Sequence, residues 1–243
     1  MPNFEVNVTT ADGVMPCFIA QPDESGPHSP VILYMDVPGI REELHDFARR
    51  LAGDGFLCVL PDLYYRHGTV RFDLSKGASE LQKMFAMGGQ LTNAMVIRDT
   101  QGILDWLESK DDAQHDTGIV GYCMSGQFVI SAAGTFPDRI KATAALYGTR
   151  MVTDQADSPH HLICDMRGEA YLGFAAHDPY VEDWVIEQMT PLLEANPALS
   201  FQLETHPETE HGFCFPQRPQ YHEEHAESAW HTMIAMYKRA LKS

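Results

Sequence analysis

The residues that could do chemistry gather first in Gly121-Tyr122-Cys123-Met124-Ser125-Gly126. The apolar pair Ile119-Val120 leads in, and the helix-like run Phe128-Val129-Ile130-Ser131-Ala132-Ala133 leads out. A strand, a sharp turn and a helix in that order lift the turn residue clear of the backbone. Its flanking positions face crowded main chain and must be small, as Gly121, Ser125 and Gly126 are. The free N–H groups at the start of the following helix favour negative charge on the sulfur and on an oxyanion beside it. The bland alternative, a Cys packed as a small hydrophobe, does not account for the small residues on both sides. Ser125 also carries a nucleophilic atom, but the spacing from Gly121 singles out Cys123.

A thiol nucleophile needs a base, and the base needs an orienting group. Asp178, in His177-Asp178-Pro179, and His211, in Glu210-His211-Gly212-Phe213, each directly follow, or lie a few residues beyond, a predicted strand. Asp183 is the weaker rival to Asp178, and His206 the main rival to His211. Asp178 also suits a helix N-cap ahead of Pro179. Phe213 is expected either to wedge its loop against the core or to line the substrate site. Two backbone N–H groups would hold an oxyanion: that of Met124, after the nucleophile, and that of Val37, in the turn after Val31–Met35. Pro38 cannot donate.

The elements that must carry these groups alternate. Phe4–Thr9 and Val14–Ile19 read as a hairpin around Asp12-Gly13, with Pro16 marking a sheet edge. Val31–Met35, Phe56–Leu60 and Ala170–Ala176 read as strands buried on both faces, and Ile140–Tyr147 is a further strand. Ser200–Thr205 is a further strand, with a loop over 206–219. Helical periodicity covers Glu42–Asp54, about Ala78–Met87, about Thr92–Glu108, Tyr180–Ala195 with a kink at Pro191, and about Tyr221–Lys242. The pattern predicts one domain over residues 1–243, a three-layer α/β fold with a mostly parallel sheet. Chemistry in such sheets collects at the carboxyl ends of strands, where Asp36, Cys123, Asp178 and His211 fall.

The 243 residues carry 44% hydrophobic content and a net charge of −17, which suits a sizeable core and disfavours nucleic acid and anionic membranes as partners. Five cysteines without a CxxC pair point to a reducing cytosol rather than a disulfide framework. The N-terminus shows no signal-peptide pattern and no run is long enough for a membrane span. No complete zinc spacing occurs among His160, His161, His206, His211, Cys214, His222 and His225, so neither metal nor cofactor is expected. The Gly148–Gly168 loop, with Ser158-Pro159-His160, is expected to rim the site. The sequence leaves oligomeric state open.

With the elbow, Asp178, His211-Gly212-Phe213 and Pro61-Asp62-Leu63-Tyr64 in view, the chain resembles the dienelactone hydrolases, cysteine members of the α/β-hydrolase superfamily. The order nucleophile, acid, histidine is that superfamily's. The resemblance implies a Cys123–His211–Asp178 triad acting on a small-molecule lactone or activated ester through a thioester. It also implies an acidic residue that contacts the resting thiol; the family typically has Glu, and Asp36 stands there. Ser125 replaces a usual Gly. Family arginines grip a substrate carboxylate. Arg66 matches one; Phe215 stands where the second would be, with Arg218 as the nearest substitute. The departures at positions 36 and 215 leave two alternatives: an esterase or thioesterase of an uncharged substrate, or a non-catalytic binding protein.

Overall fold

The computed structural model describes residues 2–73 and 76–241. Contacts gather in two compact units, Met1–His115 and Asp116–Ser243.

In the first unit the strand order is β1 (Asn3–Thr10), β2 (Gly13–Ala20), β4 (Leu57–Pro61), β3 (Pro30–Tyr34). β1 pairs antiparallel with β2, so the expected hairpin lies at an edge, with Pro16 opposite Asn7. β2 pairs antiparallel with β4, and β3 parallel with β4. Every residue of β3 and β4 is buried, which explains why neither alternates in polarity. α1 (Glu42–Gly53) buries Leu44, Phe47, Ala48 and Leu51, the stripe its periodicity forecasts. α2 spans Ala78–Gly88 and α3 Asn93–Glu108. Thr92 caps α3 by accepting from the Met95 N–H at 3.2 Å. Gly102 lets α3 approach the β1 backbone, since a Cβ there would lie 2.6 Å from the Thr9 carbonyl oxygen.

The second unit is a parallel run, β5 (Thr117–Tyr122), β6 (Ile140–Leu146), β7 (Gly168–His177), β8 (Leu199–Glu210). α4 (Gly126–Thr135) follows β5 and is buried along nearly its whole length. The Gly148–Gly168 segment is less irregular than expected and holds a 3-10 turn at Pro159–Asp165. Asn196 ties that turn down, donating to the carbonyls of Ile163 and Met166 at 2.7 and 2.8 Å. α6 (Glu223–Ala240) docks through Tyr237, whose hydroxyl donates to the Ile119 carbonyl at 2.8 Å. The expected end of that helix at Lys242 lies outside the described residues.

Three expectations need correction. β8 runs on to Glu210, so His206 is a strand residue and the loop begins at His211. Pro207 reads as a breaker, but the chain absorbs it with a register shift after Ala175 in β7 and a left-handed Glu208, φ 59°. α5 starts at Asp183 rather than Tyr180, keeps Pro191 inside it and ends at Glu194. Asp178 therefore does not cap α5. Among the described residues no helix is long and apolar enough to cross a membrane.

Candidate active site

β5 delivers Tyr122, and the next residue turns sharply. Cys123 sits in the left-handed region at φ 52°, an unfavourable conformation for a residue with a Cβ. Its carbonyl accepts from Gly126 N–H and from Thr149 N–H, the latter at 2.8 Å, which holds the bend in place. The neighbours are small for steric reasons. A Cβ on Gly121 would lie 2.6 Å from the Ser125 carbonyl oxygen, and one on Gly126 would collide with Gly148. Ser125 is fully buried, whereas Cys123 is half-exposed. Met124 follows in the 3-10 turn Cys123–Ser125, and its carbonyl accepts from Gln127 Nε2 at 3.2 Å.

β7 ends one residue before Asp178. Its Oδ2 accepts from His211 Nδ1 at 2.8 Å and its Oδ1 from the Tyr180 N–H at 2.9 Å. Both carboxylate oxygens are thus employed, and the side chain is 1% exposed. His211 begins the turn after β8, and Gly212 follows at φ 95°, where a Cβ would also meet the Arg218 guanidinium at 2.8 Å. With Nδ1 committed to Asp178, the imidazole presents Nε2, which is buried and has no hydrogen-bond partner. Burial alone would lower the His211 pKa, but hydrogen bonding and charge from Asp178 and Cys123 raise it to about 9. The thiol therefore acts on the imidazole while Nε2 stays without a bond of ordinary geometry. Such a gap is common in unliganded sites and closes as substrate binds.

The two histidine candidates separate cleanly. His206 is buried on β8, with Nε2 3.0 Å from the Tyr171 hydroxyl, which donates to Glu204 at 3.0 Å. Burial lowers its pKa, assisted by His225 and opposed by Glu204. It has no hydrogen-bonded carboxylate of its own, unlike His211. Asp183 lies exposed in the first turn of α5.

Other expected residues have different tasks. Phe213 is fully buried against Tyr147 and His206, with ring centroids 5.3 and 4.9 Å away. It wedges the His211 loop, and its burial removes it from the candidate substrate contacts. Arg218 lays its guanidinium over the Phe215 ring at 4.5 Å. Ser158 is buried and closes its own loop, accepting from Thr153 N–H at 2.8 Å and bonding His160 Nδ1 at 2.7 Å.

In the first unit Arg66 is clamped. It donates to Asp99 at 2.7 and 2.9 Å and to Asp12 at 2.6 Å, over the Tyr65 ring. A guanidinium fixed by two carboxylates is a structural brace rather than an open anion receptor. Asp36 is fully buried and paired with Arg41 at 2.5 and 3.2 Å, and Glu43 holds Arg41 from another side at 2.8 Å. Burial works against the Arg41 charge, but Asp36 and Glu43 outweigh it and raise the pKa. Nothing in the sequence reading selected Arg41; its signal was a lone Arg five residues beyond a strand-end Asp. Val37 is buried, and its carbonyl accepts from the Tyr64 hydroxyl at 2.8 Å.

Sequence reasoning also passed over two rings. Tyr147, fully buried, and Tyr180, 57% exposed, both meet the His211 imidazole in T-shaped geometry, with centroids 5.0 and 4.8 Å away. Among the described residues no group of three or more His, Cys, Asp or Glu could hold a metal ion.

Comparison with known proteins places this geometry in context. A model of the dienelactone hydrolase family matches residues 15–241. A protein of Escherichia coli, provisionally named carboxymethylenebutenolidase, is 27% identical over 229 residues, covering 93% of this chain and 82% of the relative. One of the same provisional name from Methylorubrum extorquens is 28% identical over 233 residues, covering 93% and 77%. A Klebsiella pneumoniae crystal structure, provisionally named dienelactone hydrolase, matches with TM-score 0.87 at 26% identity over 98% of both chains. The mostly parallel α/β architecture is thus that of the α/β hydrolases.

Proposed function

The chain belongs to the dienelactone hydrolase family, and on that premise we propose that it is a cysteine-dependent hydrolase of lactones or activated esters. The observation that carries this reading is the His211 imidazole, anchored to Asp178 at 2.8 Å and left with a buried, unpartnered Nε2 whose proton affinity the Cys123 thiol raises.

His211, with its pKa raised to about 9, already carries the proton on Nε2, and Cys123 Sγ attacks the carbonyl carbon beside it. The carbonyl oxygen becomes an oxyanion at the start of α4, where the Met124 N–H is the donor expected by position. Collapse breaks the C–O bond, and His211 gives its proton to the leaving oxygen. The acyl group then sits on sulfur as a thioester. Water attacks it, giving a proton to His211, and the C–S bond breaks to release the acid and restore the thiolate. Asp178 keeps Nδ1 protonated throughout, so that Nε2 always faces the reaction.

A thiolate leaves more readily than an alkoxide, so an ordinary alkyl ester returns to substrate from the first intermediate. Stabilised leaving groups, such as enolates and phenolates, move forward. The engagement of Arg66 by Asp12 and Asp99 favours a substrate without a carboxylate.

Cys123→Ala is expected to lower kcat/KM for 4-nitrophenyl acetate and for an enol-lactone by about 10⁴-fold or more, with an unchanged melting temperature. Near-normal turnover by this variant would exclude the thioester route. Absence of turnover by the unmodified protein on either compound would favour the binding-protein alternative.

A further inference from the structure

Tyr180 touches both partners of the imidazole–carboxylate pair. Its backbone N–H donates to Asp178 Oδ1 at 2.9 Å, and its ring packs edgewise on His211 with centroids 4.8 Å apart. The turn that displays it is pinned on each side. Val181 is buried, and its N–H reaches back to the Asp178 carbonyl at 3.4 Å. The ring is therefore held in place, yet 57% of the residue is open to solvent, while the imidazole beneath it is only 9% exposed. An aromatic ring left open beside the buried His211 imidazole offers a face on which a planar group can stack.

The chemistry says which part of a ligand arrives there. In acyl transfer the imidazolium delivers its proton to the leaving oxygen, so the leaving group departs next to the imidazole. The acyl portion stays on sulfur. A residue braced on the imidazole therefore meets the leaving group. Thiol chemistry independently requires that group to be a stabilised oxyanion, and enolates and phenolates, which are conjugated and planar, are a main class of these. A planar group is what an open tyrosine ring accepts by stacking.

We propose that Tyr180 is a specificity residue, offering its exposed ring as the platform on which a planar, conjugated leaving group stacks while His211 protonates it. This rests on the cysteine-hydrolase reading above and adds to it the side of the substrate that is recognised. Tyr180 also positions His211, but the platform role has its own signature. It acts on acylation according to the leaving group, and with an open-chain ester it is silent in deacylation, when that group has gone; in a lactone the group stays tethered.

The test compares phenyl acetate with hexafluoroisopropyl acetate, which share an acyl group and have leaving groups of similar acidity, only one of them aromatic. Tyr180→Leu is expected to cut kcat/KM for phenyl acetate about tenfold and to change that for the fluoroalkyl ester less than about twofold. Tyr180→Phe, which keeps the ring, is expected to retain both rates. Deacylation of the acetyl-enzyme, followed in single turnover, is expected to be unaltered in both variants. Trp184→Leu, changing the neighbouring exposed aromatic on α5, controls for general loss of apolar surface and should leave the ratio of the two rates as it is. Equal losses on both esters in Tyr180→Leu, or no loss on either, would overturn the platform role. If Cys123→Ala retains turnover, the parent reading fails instead, which separates the two.

Discussion

Asp36, following β3, and Asp178, following β7, are both strand-end carboxylates almost wholly buried, yet their surroundings differ in one respect. Asp36 meets a guanidinium whose other donors reach Glu43 and the Gly39 carbonyl, so charge is met by charge. Asp178 meets an imidazole whose second nitrogen has no partner. The first arrangement meets the needs of its charges and holds a turn together. The second pays for one good hydrogen bond with one unmet one. An unmet buried polar atom costs stability, and it persists where something is to be bound or transferred. The same sequence feature, an aspartate at the end of a buried strand, thus partners a guanidinium in one unit and anchors the His211 imidazole in the other.

Three changes would sharpen or break that contrast. The largest effect is expected from Asp178→Asn, which keeps the shape but disturbs the tautomer and charge of His211. Turnover of activated esters should fall about 10³- to 10⁴-fold, with little loss of stability by urea melting. If this variant instead unfolded as easily as one lacking the ion pair, Asp178 would be a brace as well. Arg41→Ala tests the other side. It strands two buried carboxylates, Asp36 and Glu43, and is expected to cost about 3–5 kcal/mol in urea unfolding. Unchanged stability there would mean that the pair contributes specificity of conformation and little else.

The smallest effect concerns pH. The folded His211 pKa of about 9 lies above the ordinary 6.5, so folding favours the protonated ring. That contribution is fully present below about pH 6.5 and is lost as pH rises through 9. The melting temperature should therefore fall across that window, and His211→Gln should flatten the fall. A parallel decline in both proteins would assign it to another group.

The features that announced themselves in the sequence were those with local steric or periodic causes. The bend at Cys123 was legible because only small residues survive at 121 and 126, and the contacts with Ser125 and Gly148 supply the reason. The buried strands read as apolar runs, and α1 as a stripe. What stayed hidden depended on partners far along the chain or on the direction of a side chain. The strand after α5 was expected to stop at Thr205, and the register shift in β7 that accompanies its continuation lies some thirty residues earlier. Phe213 was open to two readings and packs inward on Tyr147, while the packing of Arg218 over Phe215 was not visible. Arg66 and Arg41 offered the same cationic head, and only Asp12, Asp99, Asp36 and Glu43 decide that both are occupied. Tyr180 escaped notice because the value of an exposed ring depends on what lies under it.

Thr149 N–H donates to the carbonyl of Cys123, and beside it Gly148 presses on Gly126. The segment over 148–168 is therefore moored at its root to the bend that bears the sulfur. Remodelling of that segment for a new substrate has to begin past residue 149. A change nearer the root would shift the Cys123 bend with it.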